Sequence, residues 1–186
     1  MNVPAPIVGT NTYISVDEAT ALAADRLHAA EWRAAIEAHE AVRAAAQAEA
    51  EETGEPAPFD ASVSEICRQA LTTATAVLDS LTWVGRPSDA SQALAWPRTG
   101  ARDAQGFPLP SNSVPRVLRT ACAELAFHLL ATEPHAPRSA PLQMQMVGQS
   151  MQTYFATVAD DLPPRVRRLV APYLAVRSKH SSELLF

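Results

Sequence analysis

At 186 residues and a formal net charge of −5, the chain has room for one domain with extensions. Its negative balance works against non-specific attraction to duplex DNA. Apolar residues make up 47% of it but aromatic residues only 6%. Alanine fills much of that gap, favouring helices and a thin core that neighbouring copies would complete.

Residues 1–12, with Pro4, Pro6, Gly9 and Asn11, read as an extended arm. Ser15-Val-Asp-Glu18 is a capping box that starts a helix running to about Leu27, with Ala19, Leu22, Ala23 and Leu27 facing inward. Residues 31–52 are helical by propensity; Trp32 and Ile36 anchor them, and the apolar stripe then fades to alanine. Thr53-Gly-Glu-Pro-Ala-Pro58 ends that run. A second capping box, Ser62-Val-Ser-Glu65, opens the strongest stripe: Val63, Ile66, Cys67, Ala70, Leu71, Ala74, Val77, Leu78 and Leu81. The stripe predicts a helix of about 20 residues, or roughly 30 Å, ending near Trp83 with Gly85 as its cap.

Residues 84–114 form a long loop. Gly85, Pro87, Pro97 and Gly100 keep the stretch from being one helix or one strand, yet Trp83, Leu94 and Trp96 are cargo that a solvated linker would not carry. An ordered segment pinned to a core or to a partner is the expected form. Asp103-Ala-Gln-Gly106 reads as a tight turn, followed by Phe107, Pro108 and Pro110. The next helix is expected from Ser113 as N-cap and Pro115 as first residue. Its stripe is Leu118, Ala121, Cys122, Leu125, Ala126, Leu129 and Leu130, and Pro134 and Pro137 stop it.

The period then changes. Alternation around Leu142, Met144, Met146 and Met151 predicts a β-arm over 142–158 turning near Val147-Gly148-Gln149, laid on the helices or paired with a neighbour. Asp160-Asp-Leu-Pro-Pro164 opens a last helix, with an aspartate cap, an inner face of Val166, Leu169, Val170 and Leu174, and Pro172 shortening it. Residues 177–186 are a polar tail ending in the apolar hook Leu184-Leu-Phe186. The fold class is mainly α: a small bundle of about four helices over 13–176, with a long ordered loop and a β-hairpin arm.

The sequence offers little chemistry. His28, His39, His128, His135 and His180 show no metal-ligand spacing and read as structural. Asp160 and Asp161 read as a helix cap rather than paired acids. Ser150 lacks a nucleophile elbow, and no glycine pattern cradles phosphate. No catalytic, cofactor or metal residue is assigned, and the chain reads as a non-enzyme. Cys67 and Cys122 read as reduced buried thiols, with a disulfide as the alternative. The Met144, Met146 and Met151 set reads as packing. Arg98, Arg102, Arg165, Arg167 and Arg168 could touch phosphate, and Tyr13, Trp83, Trp96 and Phe107 could stack on bases. Packed aromatics and solvated or paired arginines are the favoured view, and Lys179 is the only lysine. The first residues lack a signal-peptide pattern and no run suits a membrane span, so synthesis in the cytoplasm and no membrane partner are expected.

Several segments fall in a distinctive order: Tyr13-Ile-Ser-Val-Asp-Glu-Ala19, Ala70 to Arg86, Gln92-Ala-Leu-Ala-Trp-Pro-Arg-Thr-Gly100, Asp103-Ala-Gln-Gly-Phe-Pro108, Val114-Pro115, Ala121-Cys-Ala-Glu-Leu-Ala126 and Leu162 to Leu174. In this order the chain resembles a family of tailed-bacteriophage head and neck proteins, often labelled DnaT-like single-stranded DNA-binding, whose relatives point to head–tail adaptors. The resemblance implies a helical subunit of a homo-oligomeric ring, commonly of twelve copies. Such a ring would sit in the virion neck between the portal protein and a tail-side neck protein, and genomic DNA would pass through its channel without specific binding. It implies no catalytic residues and no cofactor. The chain departs from the pattern in an Ala/Glu-rich insertion at 37–60 and in its tail. On this reading Leu184, Leu185 and Phe186 are candidates for portal binding, and Trp96, Arg98 and Phe107 for the interface between subunits. The alternative is a single-stranded DNA-binding module of the DnaT-like type, which the charge and the near absence of lysine disfavour.

Overall fold

The computed structural model describes residues 8–54, 64–132 and 162–175, together with the backbone of two short strands. It is mainly helical: α1 (Val16–Ala24), α2 (Ala30–Thr53), α3 (Glu65–Asp79), α4 (Arg116–Ala131) and α5 (Pro164–Val170). Strands β1 (Arg86–Pro87) and β2 (Arg98–Thr99) pair within the long loop. Strands β3 (Gln145–Val147) and β4 (Ser150–Gln152) form the expected antiparallel hairpin, with Met146 opposite Met151. Residues 1–7, Ser62, Val63, His135, Asp160, Asp161, His180 and the hook Leu184 to Phe186 lie outside the described residues.

Local chemistry explains the helix ends, and several differ from the sequence expectation. Half of the Ser15 box forms as read, the Glu18 amide donating to Ser15 Oγ at 3.1 Å, while the Glu18 carboxylate accepts from Arg119 Nη1 at 2.6 Å instead of reaching back to the cap. However, α1 stops at Ala24, and Leu27 enters a short 3₁₀ turn where it is 97% exposed instead of facing the core. The N-cap of α3 is Ser64. The Glu65 carboxylate turns along the helix to Arg68 and Gln69 rather than back to a cap. Hydrogen bonds from those two groups, Arg68 first, hold its carboxyl down to about 2. Ile66, placed on the stripe, is exposed. At the other end α3 finishes at Asp79, short of Trp83. Trp83 folds back so that its indole N–H donates to the Leu78 carbonyl at 3.1 Å, satisfying one of the helix's terminal acceptors. Pro115 and Pro163, both in extended backbone, are the N-caps of α4 and α5, in place of Ser113 and an aspartate. After α5 the chain tightens into a 3₁₀ turn at Ala171–Tyr173, where Pro172 was expected to shorten it.

α4 is the hub. Ala121 through Phe127 are all buried, the mark of a helix enclosed on every side. α1, α2, α3 and α5 all pack on it. Small residues at 121, 123 and 126 let those neighbours approach. On the α3 side Thr75 Oγ1 lies 3.3 Å from Cys122 Sγ. On the α2 side Phe127 meets Trp32 edge-on, with ring centres 5.2 Å apart, and the Trp32 indole donates to Thr20 at 3.1 Å. Trp32 is the only buried residue of α2. That helix is ~36 Å long, and its outer half is mostly exposed. It ends where Gly54 takes a positive φ of 70° and its N–H caps the Ala50 carbonyl. No helix among the described residues is long and apolar enough to cross a membrane.

Cys67 and Cys122 are both free and buried. Burial raises both thiols, Cys122 to about 11. The native chain is therefore expected to leave a thiol reagent unconsumed near pH 8 and to titrate two thiols in denaturant. Rapid reaction without denaturant would contradict this burial.

Candidate functional site

The tryptophan-bearing loop is built inward. Trp83 is 4% and Trp96 1% exposed, and Leu94 is buried beside them. Trp96 packs edge-on between Trp83, at 5.7 Å between ring centres, and Tyr173, at 6.4 Å. The segment after α5 covers the pair. Trp83 and Leu174 form an antiparallel bridge, the Val84 N–H donates to the Tyr173 carbonyl and the Ala175 N–H donates to that of Thr82. Asp79 ties in the N-terminal side by accepting from the Tyr13 hydroxyl and from the Ala95 N–H. Burial, then that carboxylate, push the Tyr13 hydroxyl far above its ordinary range, so it remains a donor. The Trp96 indole N–H is buried with no partner among the described residues.

Arg98 belongs to the same scaffold. Its guanidinium donates to the carbonyls of Val84 at 2.8 Å, Ala95 at 3.1 Å and Gly85 at 2.8 Å, so one fork gathers both ends of the loop. Arg102 likewise donates to the Gly106 carbonyl at 2.7 Å. Of the three residues expected at a subunit interface, Trp96 and Arg98 are therefore engaged inside one chain, and only Phe107, 69% exposed, is presented outward. A single subunit already buries the apolar cargo that was expected to need neighbours. Trp83, Trp96 and Tyr13 are likewise not available as stacking platforms.

Gly85 is where this loop tolerates no side chain. Its φ is +72°, and a Cβ there would lie 2.5 Å from the Thr99 carbonyl oxygen across the β1–β2 pair. Gly85→Ala is expected to lower stability by about 2–3 kcal/mol. A urea midpoint equal to that of the parent would contradict the close approach.

A second feature was not foreseen from the sequence. Glu124 lies in the buried run of α4 and is 5% exposed. Its carboxylate accepts from Arg26 Nε at 3.0 Å and from His28 Nε2 at 2.6 Å, and Arg165 Nη1 approaches to 3.8 Å. Arg165 also lies 3.0 Å from His28 Nδ1. An arginine only donates, so one tautomer fits: Nδ1 accepts from Arg165 and the Nε2–H serves Glu124. Arg26, Glu124 and Arg165 line a groove of about 740 Å³ shared with His128, Arg168 and Leu169. Arg168 is exposed and makes no ion pair among the described residues. The one available signal was Glu124 itself, a lone charge in the apolar run Ala121-Cys-Ala-Glu-Leu-Ala126. Among the described residues no group of three His, Cys, Asp or Glu side chains is placed to hold a metal ion.

Residues 55–184, more than two thirds of the chain, match the family model described as "Putative DnaT-like ssDNA binding protein". α1 and α2 precede the matched region. No curated protein and no solved structure matches the chain. The chain belongs to this DnaT-like family.

Proposed function

We propose that the chain is a structural head–tail adaptor of a tailed-bacteriophage neck, a subunit of a ring between the portal protein and a tail-side neck protein through which genomic DNA passes. The observation that carries this reading is the enclosure of Trp83 and Trp96, 4% and 1% exposed. Sequence-tolerant binding of single strands relies on aromatic faces open to bases, and here those faces are spent on the core. The charge of −5 points the same way, since a negative lumen would let duplex slide without sticking. Exposed Phe107, Leu27 and Val42 leave apolar surface for neighbours. The reading assigns the chain no catalytic step and no cofactor.

The family's description favours a second reading, single-stranded DNA binding. The arginine groove is the feature that supports it, through contacts from Arg165 and Arg168 to backbone phosphates rather than through stacking on tryptophan. One pair of experiments separates the two. The adaptor reading expects co-sedimentation with portal rings, together with unchanged tryptophan emission and no saturable binding when a labelled oligonucleotide is added at physiological salt. Saturable, salt-sensitive oligonucleotide binding by a chain that ignores the portal would replace it with the second reading.

A further inference from the structure

α2 and the arginine groove have opposite charge and lie on different parts of the subunit. Beyond Ile36, successive residues of α2 turn by about 100°, which gathers Glu37, Glu40, Glu51 and Glu52 on one face with Ala41, Ala44 and Ala48. All seven are exposed. The half-buried residues of this stretch, His39, Ala46 and Ala50, occupy the opposite face. The acidic face spans roughly 22 Å from Glu37 to Glu52. Its alanines let another surface approach closely, and none of its four carboxylates makes an ion pair among the described residues.

The groove offers the complement. Arg165, with its side chain 60% exposed, and the exposed Arg168 and His128 border it. Leu169 and Pro164 give it an apolar wall. Glu124 already balances Arg26 at its floor, so the cationic surplus sits at the rim, with Arg168.

We infer that the acidic face of α2 in one copy docks in the arginine groove of the next copy. The inference rests on the adaptor reading and gives it a contact. Two different patches on each subunit make a head-to-tail interface, which closes into a ring when the rotation allows. It also gives the Ala/Glu-rich stretch of α2 a task, since that stretch buries almost nothing within its own chain.

The test uses the full chain and two charge reversals, Arg168→Glu and the double change Glu51→Arg with Glu52→Arg. None of these side chains makes an ion pair among the described residues, and circular dichroism would verify folding. Particle mass is measured at low and high salt, with and without portal protein. The parent chain should assemble, more strongly at low salt. Each variant alone should lose at least about tenfold in assembly affinity, about 1.4 kcal/mol, and an equimolar mixture of the two should recover it, because each then meets its complement. Folded variants that assemble like the parent, or a mixture that stays dissociated, would overturn the contact and leave the adaptor reading standing. So would an Arg168→Glu change that weakens oligonucleotide binding but not assembly. A parent chain that never assembles would overturn the adaptor reading itself.

Discussion

Replacing Trp96 by alanine is expected to lower the stability of the fold by about 3–5 kcal/mol, a large part of the 5–15 kcal/mol typical of a domain. The indole is 1% exposed and sits between Trp83 and Tyr173. It therefore joins the loop to the segment that follows α5. Its removal leaves a cavity that Arg98 holds open, because that guanidinium fixes three loop carbonyls in place. Trp96→Phe should cost less. It keeps an aromatic ring in contact and removes an indole N–H that is buried without a partner among the described residues. Urea unfolding followed by circular dichroism measures both changes. A Trp96→Ala midpoint within experimental error of the parent would mean the loop is not part of the core.

Glu124→Ala is the second large effect, expected at about 2–3 kcal/mol. The carboxylate is 5% exposed and holds Arg26 and His28, with Arg165 near, so one side chain links the α1–α2 connection, α4 and α5. The loss is held to this range because the arginines can turn to water, with side chains 36% and 60% exposed. Glu124→Gln preserves the shape and one acceptor and should fall between the parent and the alanine variant. If the alanine variant unfolds at the parent's urea concentration, the cluster contributes nothing to the fold.

Much of this architecture was legible because helices announce themselves locally. The Ser15 capping box and the spacing of Leu71, Ala74 and Leu78 need no tertiary information. The change of period before Met146 placed the hairpin. Mixing large apolar residues with Gly85, Pro87 and Pro97 marked the loop as ordered. What the sequence withheld was what covers what. Trp83 ends α3 early by folding onto the Leu78 carbonyl, a contact no helical period encodes. The lid over Trp96 comes from Tyr173, far along the chain, so the loop's apolar cargo looked like an interface when it is an interior. Leu27 fits the α1 stripe on paper, but the helix stops before reaching it. The Glu124 cluster joins residues 26, 28, 124 and 165. In sequence they carry no shared motif; the α1–α2 connection and α5 each pack on α4, and those two contacts bring them together.

The most direct test of the adaptor reading is an electron micrograph of the purified chain mixed with its portal protein. The account predicts rings with an open central channel seated on the portal and containing many copies of the subunit. Solitary subunits beside bare portals, with tryptophan emission that falls on addition of a single-stranded oligonucleotide, would contradict both the proposed role and the enclosure of Trp83 and Trp96.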